Sequence, residues 1–175
     1  MEKFVLFLAL SIIIGIITYI IFGNSPLILS FLLSIISSLI FFYKNENSLI
    51  QIFLFLFLST FLLASILNNL FPKFFSSVLE EVKSSKPLNY SFFEILKTIF
   101  THNFTLYLQA FLLSSLTFIG GFLFFFWNTL LFSAIVINSQ YPFFTFIILA
   151  PHGILEFFSF YLASISGTKI FKKLI

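Results

Sequence analysis

Cysteine, arginine and aspartate are all absent from this 175-residue chain, and charged residues of any kind make up only 9% of it. Without cysteine there is no disulfide and no thiolate metal site. Soluble domains carry about 25% charged and about 45–50% apolar residues. Here 60% of residues are hydrophobic and the mean hydropathy is +1.14. A water-soluble fold of this size still exposes roughly a third of its unfolded surface, so most of this chain requires lipid as its solvent. The positive charges are all lysine and the negative ones all glutamate, with a net charge of +3 held at the ends and in loops. That small excess suits an anionic membrane surface rather than nucleic acid. Phenylalanine occurs 31 times; an AT-rich coding bias favours it, and lipid does not oppose it.

A spanning helix takes about 20 apolar residues. Phe4–Phe22, Leu27–Tyr43 and Ser48–Phe71 each fit, separated by the turn cluster Gly23-Asn24-Ser25-Pro26 and by the polar Lys44-Asn45-Glu46-Asn47. The first run lacks a small-residue cleavage site and is too long for the apolar region of a signal peptide, so it reads as a retained helix. These three helices make one unit, residues 1–72. The charged stretch 73–98 comes next. Its Phe74, Phe75, Val78, Leu79 and Val82 recur at helical spacing, Pro87 splits it, and Ser91 can cap a second piece. That pattern predicts two short amphipathic helices lying on the membrane surface.

Residues 99–175 read as a second membrane unit. A helix over Phe104–Phe126 is followed by two short apolar runs, Thr129–Ile137 and Phe143–Ala150, and by a last helix over His152–Phe171. Asn128, the Asn138–Pro142 cluster and Pro151-His152-Gly153 interrupt them. The short runs cannot each cross about 30 Å at 1.5 Å per residue. They form either a re-entrant hairpin, giving five full spans, or one broken crossing, giving six. Lysines collect on the cytoplasmic side. Five spans put Lys73, Lys83, Lys86, Lys97, Lys169, Lys172 and Lys173 together, with Lys3 and Lys44 opposite. Six spans give no clean division, so the re-entrant arrangement is favoured. The expected fold is all-α: a polytopic transmembrane helix bundle in the cell membrane, with an interrupted segment before the last helix.

Asn103, Tyr107, Ala110, Ser114, Thr117 and Gly121 recur every three or four positions, giving the fourth helix a small, weakly polar face that Asn128 would extend. His152, Glu156, Ser159, Ala163 and Gly167 repeat the pattern in the last helix. Such stripes read first as packing seams and second as walls of a polar cavity. Glu156 is the only carboxylate in the apolar half of the chain. A charge at bilayer depth costs from about 2.5 kcal/mol upward, so it usually faces the bundle interior and has a role. His152 lies one turn before it, within hydrogen-bonding reach. Pro151 and Gly153 mark a helix break, with Glu156 in the first turn of a fresh helix near its free N–H groups. Asn128 and Asn138 would satisfy other broken backbone groups, since irregular backbone at that depth is tolerated only inside protein or beside water. The pair reads as a structural lock on the break or, less readily, as a proton or ion relay. Two ligands do not make a zinc site, His102 is the only other histidine, and no HExxH motif exists. No metal, cofactor or catalytic set is expected; Ser133 and Ser159 do not stand out as nucleophiles among many helix serines.

Ile99-Phe100-x-x-Asn103, the small-residue helix, Asn128, and Pro151-His152-Gly153-x-x-Glu156 followed by Gly167 together resemble the stage II sporulation protein M family, over roughly residues 95–173. Thr129 stands where members commonly carry glycine, and Ser114 and Ser115 stand for glycines of the fourth helix. These departures bear on the tightest helix contacts. The resemblance implies the membrane architecture and a scaffold similar to the sporulation member, which anchors peptidoglycan-degrading enzymes. The expected function is a non-enzymatic membrane scaffold that recruits other membrane proteins through its seams and the 73–97 loop. A homodimer is compatible with the stripe Ser30, Ser34 and Ser37. The alternative is a small transporter or channel, with broken helices around His152 and Glu156.

Overall fold

A backbone surrounded by apolar side chains must satisfy its own N–H and C=O groups, which a helix does within one segment. The described residues include six long helices: α1 (Glu2–Phe22), α2 (Pro26–Tyr43), α3 (Leu49–Leu70), α4 (Phe92–Thr117), α5 (Gly120–Ile137) and α6 (Pro142–Leu174). The computed structural model describes residues 2–23, 25–43, 49–76, 79–80, 92–117 and 119–174, and no strand occurs among them. Three helices contain stretches long and apolar enough to cross a membrane: Ile50–Leu70, Gly120–Ile137 and Pro142–Lys173. Shorter apolar stretches, Ala9–Phe22 and Pro26–Ser37, lie in α1 and α2.

The first turn follows the expected chemistry. Gly23 takes φ +64° after the end of α1, a conformation that favours glycine, and its N–H returns to the Tyr19 carbonyl. Pro26 opens α2 at the position where its missing N–H removes no hydrogen bond. The polar break at Lys44–Asn47 lies outside the described residues, as do Val78, Val82, Lys83, Lys86, Pro87 and Ser91 of the stretch between α3 and α4.

Side-chain pairs fix the directions of α1, α3, α4, α5 and α6 relative to one another, and the short turn at 23–25 reverses the chain into α2. α1 runs with α3, since Gly15 faces Leu67 and Tyr19 stacks on Phe71 at 4.0 Å. α3 runs with α5: Phe53 meets Phe125, and Asn138 Nδ2 donates to Asn68 Oδ1 at 3.1 Å. α6 opposes α5, with Ser164 at Gly121 and Gly153 at Phe132. α4 runs with α6, its Asn103 near His152 and its Ser114 at Gly167. Helix direction therefore alternates along the chain. α5 is the hub, in contact with α2, α3, α4 and α6, while α1 and α4 lie at opposite flanks. Helices of the stretches 1–72 and 99–175 thus pack against one another.

Where α3, α5 and α6 meet, the core is aromatic. Phe53 contacts Phe158 at 5.0 Å and Phe125 at 6.0 Å; Phe57 contacts Phe157 at 5.9 Å; and Phe132 contacts Phe157 at 5.4 Å and Phe146 at 6.0 Å. Each such pair contributes about 0.5–1.5 kcal/mol beyond area burial.

Several expectations are corrected. The stretch Thr129–Ile137 is not a short run: α5 passes through Asn128, whose amide donates to the Phe124 carbonyl at 2.8 Å instead of interrupting the helix. Nor is there a break at Pro151, because α6 continues through it. The two short runs expected to form a re-entrant hairpin are therefore parts of the longer helices α5 and α6, joined by the turn 138–141. The fourth helix ends at Thr117 rather than Phe126, and a tight turn leads into Gly120 and Gly121. Phe74 and Phe75 sit in a turn and are fully buried, Phe74 against Tyr19, so they close the end of the bundle instead of facing a membrane surface. The expected second surface piece belongs to α4.

Candidate functional site

Three of the seven residues singled out from the sequence come together between α4 and α6. Asn103 Nδ2 lies 3.4 Å from His152 Nε2, and the same nitrogen lies 3.7 Å from Glu156 Oε2. The imidazole nitrogen therefore has two alternative partners. Unprotonated, it accepts from the Asn103 amide; protonated, it points a donor at the carboxylate. His102, beside Asn103 on α4, is within electrostatic range of Glu156. The His152 side chain is 63% exposed and that of Glu156 only 16%. The group thus forms a polar patch on the outer flank of the bundle with its acid tucked beneath, and the aromatic core lies behind it.

The other four residues have separate roles. Gly167 and Gly121 sit where α4, α5 and α6 come together. A Cβ on Gly167 would meet the Phe111 carbonyl at 2.7 Å and the Ser115 nitrogen at 2.8 Å, and one on Gly121 would meet Ser164 Cα at 2.8 Å. Ser114 Oγ sits at this crossing and accepts from the Gly121 N–H at 2.7 Å, satisfying one of the free donors that open α5. Thr117 Oγ1 accepts from the Gly120 N–H at 3.3 Å. Of the small stripes predicted for α4 and α6, Ala110, Ser114, Ala163 and Gly167 are buried in one seam, whereas Tyr107 and Thr117 are exposed and Gly121 belongs to α5. Gly153 is buried against the Phe132 ring, 3.2 Å from where its Cβ would be. Pro151 is exposed within α6, and Asn128 is turned to its own helix.

Among the described residues no group of three or more His, Cys, Asp or Glu could hold a metal ion. The Ser159 hydroxyl donates to the Glu156 carbonyl at 2.6 Å and that of Ser133 to the Thr129 carbonyl at 2.7 Å, so neither is aligned with His152. Ser30, Ser34 and Ser37 are all buried in the bundle, so their stripe is not available to a second copy.

Two features escaped the sequence reading. Asn138, expected only to satisfy broken backbone groups, also ties the ends of α3 and α5 together through Asn68. An exposed polar line along α4, made of His102, Thr105 and Gln109, was passed over because the small-residue face of the same helix drew the reading. No protein-family model, curated protein or solved structure matches the chain.

Proposed function

We propose that the chain is a non-enzymatic, multi-pass protein of the cell membrane, crossing six times, that recruits a partner membrane protein through the α4–α6 flank. Large apolar side chains stand exposed on α1, α2, α3, α4 and α6, including Ile20, Leu54, Ile148 and Leu155, and this outer surface suits lipid. The alternation of helix direction suits six crossings. The observation that carries the recruiting role is His152, 63% exposed between Ile148 and Leu155 with a largely covered glutamate beneath it. A polar group facing lipid is costly, and a second helix offering a hydrogen-bonding side chain relieves that cost. The resemblance to the stage II sporulation protein M family, whose sporulation member serves as an anchor for other proteins, points the same way. A transporter reading is weaker, since phenylalanine rings fill the centre of the bundle and Glu156 lies off that axis.

The test is a photo-crosslinking side chain at Ile148 or Leu155 in living cells. Discrete protein adducts are expected, and they should be lost in His152→Leu and in Glu156→Gln. Adducts to lipid alone at both positions would sink the proposal, while solute flux in liposomes that Glu156→Gln abolishes would favour the transporter.

A further inference from the structure

Along α4, His102, Thr105, Gln109, Leu112 and Leu116 are all exposed, and they recur at intervals of three, four, three and four. That is the repeat by which one helix meshes with another in a left-handed pair. The line lies about a third of a turn around α4 from the Ala110–Ser114 seam with α6. Nothing described covers it: Leu112 is 50% and Leu116 70% exposed.

The chemistry of the line identifies its partner. The Thr105 hydroxyl already donates to the Thr101 carbonyl at 2.8 Å. The Gln109 amide makes no hydrogen bond among the described residues. Counted back from the turn at Thr117, it stands about 12 Å into the bundle, beside an α5 about 27 Å long, so it lies near mid-depth. An amide there has two donors and an acceptor with no water to meet them. Two copies of the chain in one membrane share their orientation. A twofold axis along the membrane normal then sets each seam residue opposite itself. A glutamine amide is complementary to its own copy, donating through Nε2 and accepting through Oε1. A single polar layer in an otherwise apolar seam is the device that fixes register and the number of strands.

We infer that the chain forms a parallel homodimer through α4, with the Gln109 amides paired across the twofold axis. This rests on the six-crossing membrane reading but not on the α4–α6 flank, so partner recruitment at His152 can fail without affecting it. The experiment uses the full chain in phosphatidylcholine–phosphatidylglycerol vesicles. Because the chain has no cysteine, each introduced cysteine is its only thiol. Oxidation should give a disulfide-linked dimer for cysteine at 109, 112 and 116 and little for cysteine at 104 and 108. In the cysteine-free protein, Gln109→Leu should weaken dimerisation by about three- to tenfold, the range of one intramembrane side-chain hydrogen bond, and Gln109→Asn should restore part of it. Equal crosslinking at 104 and 108, a monomer at every protein-to-lipid ratio, or a Gln109→Leu protein as dimeric as the parent would each overturn the inference.

Discussion

At the scale of single residues, three glycines separate three physical reasons for having no side chain. Gly167 faces the backbone of α4, which has nowhere to move. Gly167→Ala should destabilise the bundle by about 1–3 kcal/mol through overpacking, seen as a lower midpoint in a denaturing-detergent titration. Gly23 has open space but φ +64°, so Gly23→Ala costs only the left-handed strain, about 1 kcal/mol. Gly153 faces the rings of Phe132 and Phe157, which can turn aside, and Gly153→Ala should be nearly silent. Equal losses at all three would show that the α4–α6 crossing is looser than described. The seam itself was readable in the sequence, because Ser114 and Gly167 fall on small-residue stripes at helical spacing. Which residue opposes which was not readable, since periodicity fixes a face but not the neighbour it meets. Asn103 and His152, 49 positions apart, show the same limit.

At the scale of the helix, the sequence misled wherever a residue type known for breaking helices sat in an apolar run. Asn128 turns its amide onto the Phe124 carbonyl and leaves α5 whole. Pro151 removes one backbone hydrogen bond, but leaving the helix there would strand several more groups in apolar surroundings, so continuation is the smaller cost. Conversely, Gly120-Gly121 looked like packing residues inside a helix and are the start of one. Their N–H groups are taken up by Thr117 and Ser114 across a turn too tight for a Cβ. A direct consequence follows for α6. Pro151→Ala supplies the missing N–H to the Ile147 carbonyl and removes the ring's clash with it. It should raise stability, by up to about 3 kcal/mol, with helicity unchanged by circular dichroism. In a chain interrupted at Pro151, the same change would reorganise the segment and lower stability.

Across the whole molecule, the proposed six crossings rest on helix direction, and lysine counting does not point to them. Lys73 and Lys97 flank the connection from α3 to α4, at the end of the bundle holding the α1–α2 and α5–α6 turns. Lys169, Lys172 and Lys173 lie at the other end, with the start of α1. The charges are split, and the rule that positive residues stay cytoplasmic has little to act on. Sequence reasoning preferred five spans because that arrangement gathers seven lysines on one side. The antiparallel packing of α5 against α6 instead suits the six crossings proposed above. The two arrangements disagree about one pair of positions. With six crossings, Ser25 in the first turn and Lys173 at the end of α6 face opposite sides; with five spans and a re-entrant hairpin they share a side. Single cysteines at these positions, in a chain with no other thiol, can be labelled in intact cells with a membrane-impermeant maleimide. One of the two should react before permeabilisation and the other only after it, and Ser139→Cys should behave like Ser25→Cys, with Thr117→Cys behaving like Lys173→Cys. Labelling of Ser25→Cys and Lys173→Cys from the same side would return the hairpin to the fold, and the parallel course of α4 and α6, on which the shared flank depends, would go with it.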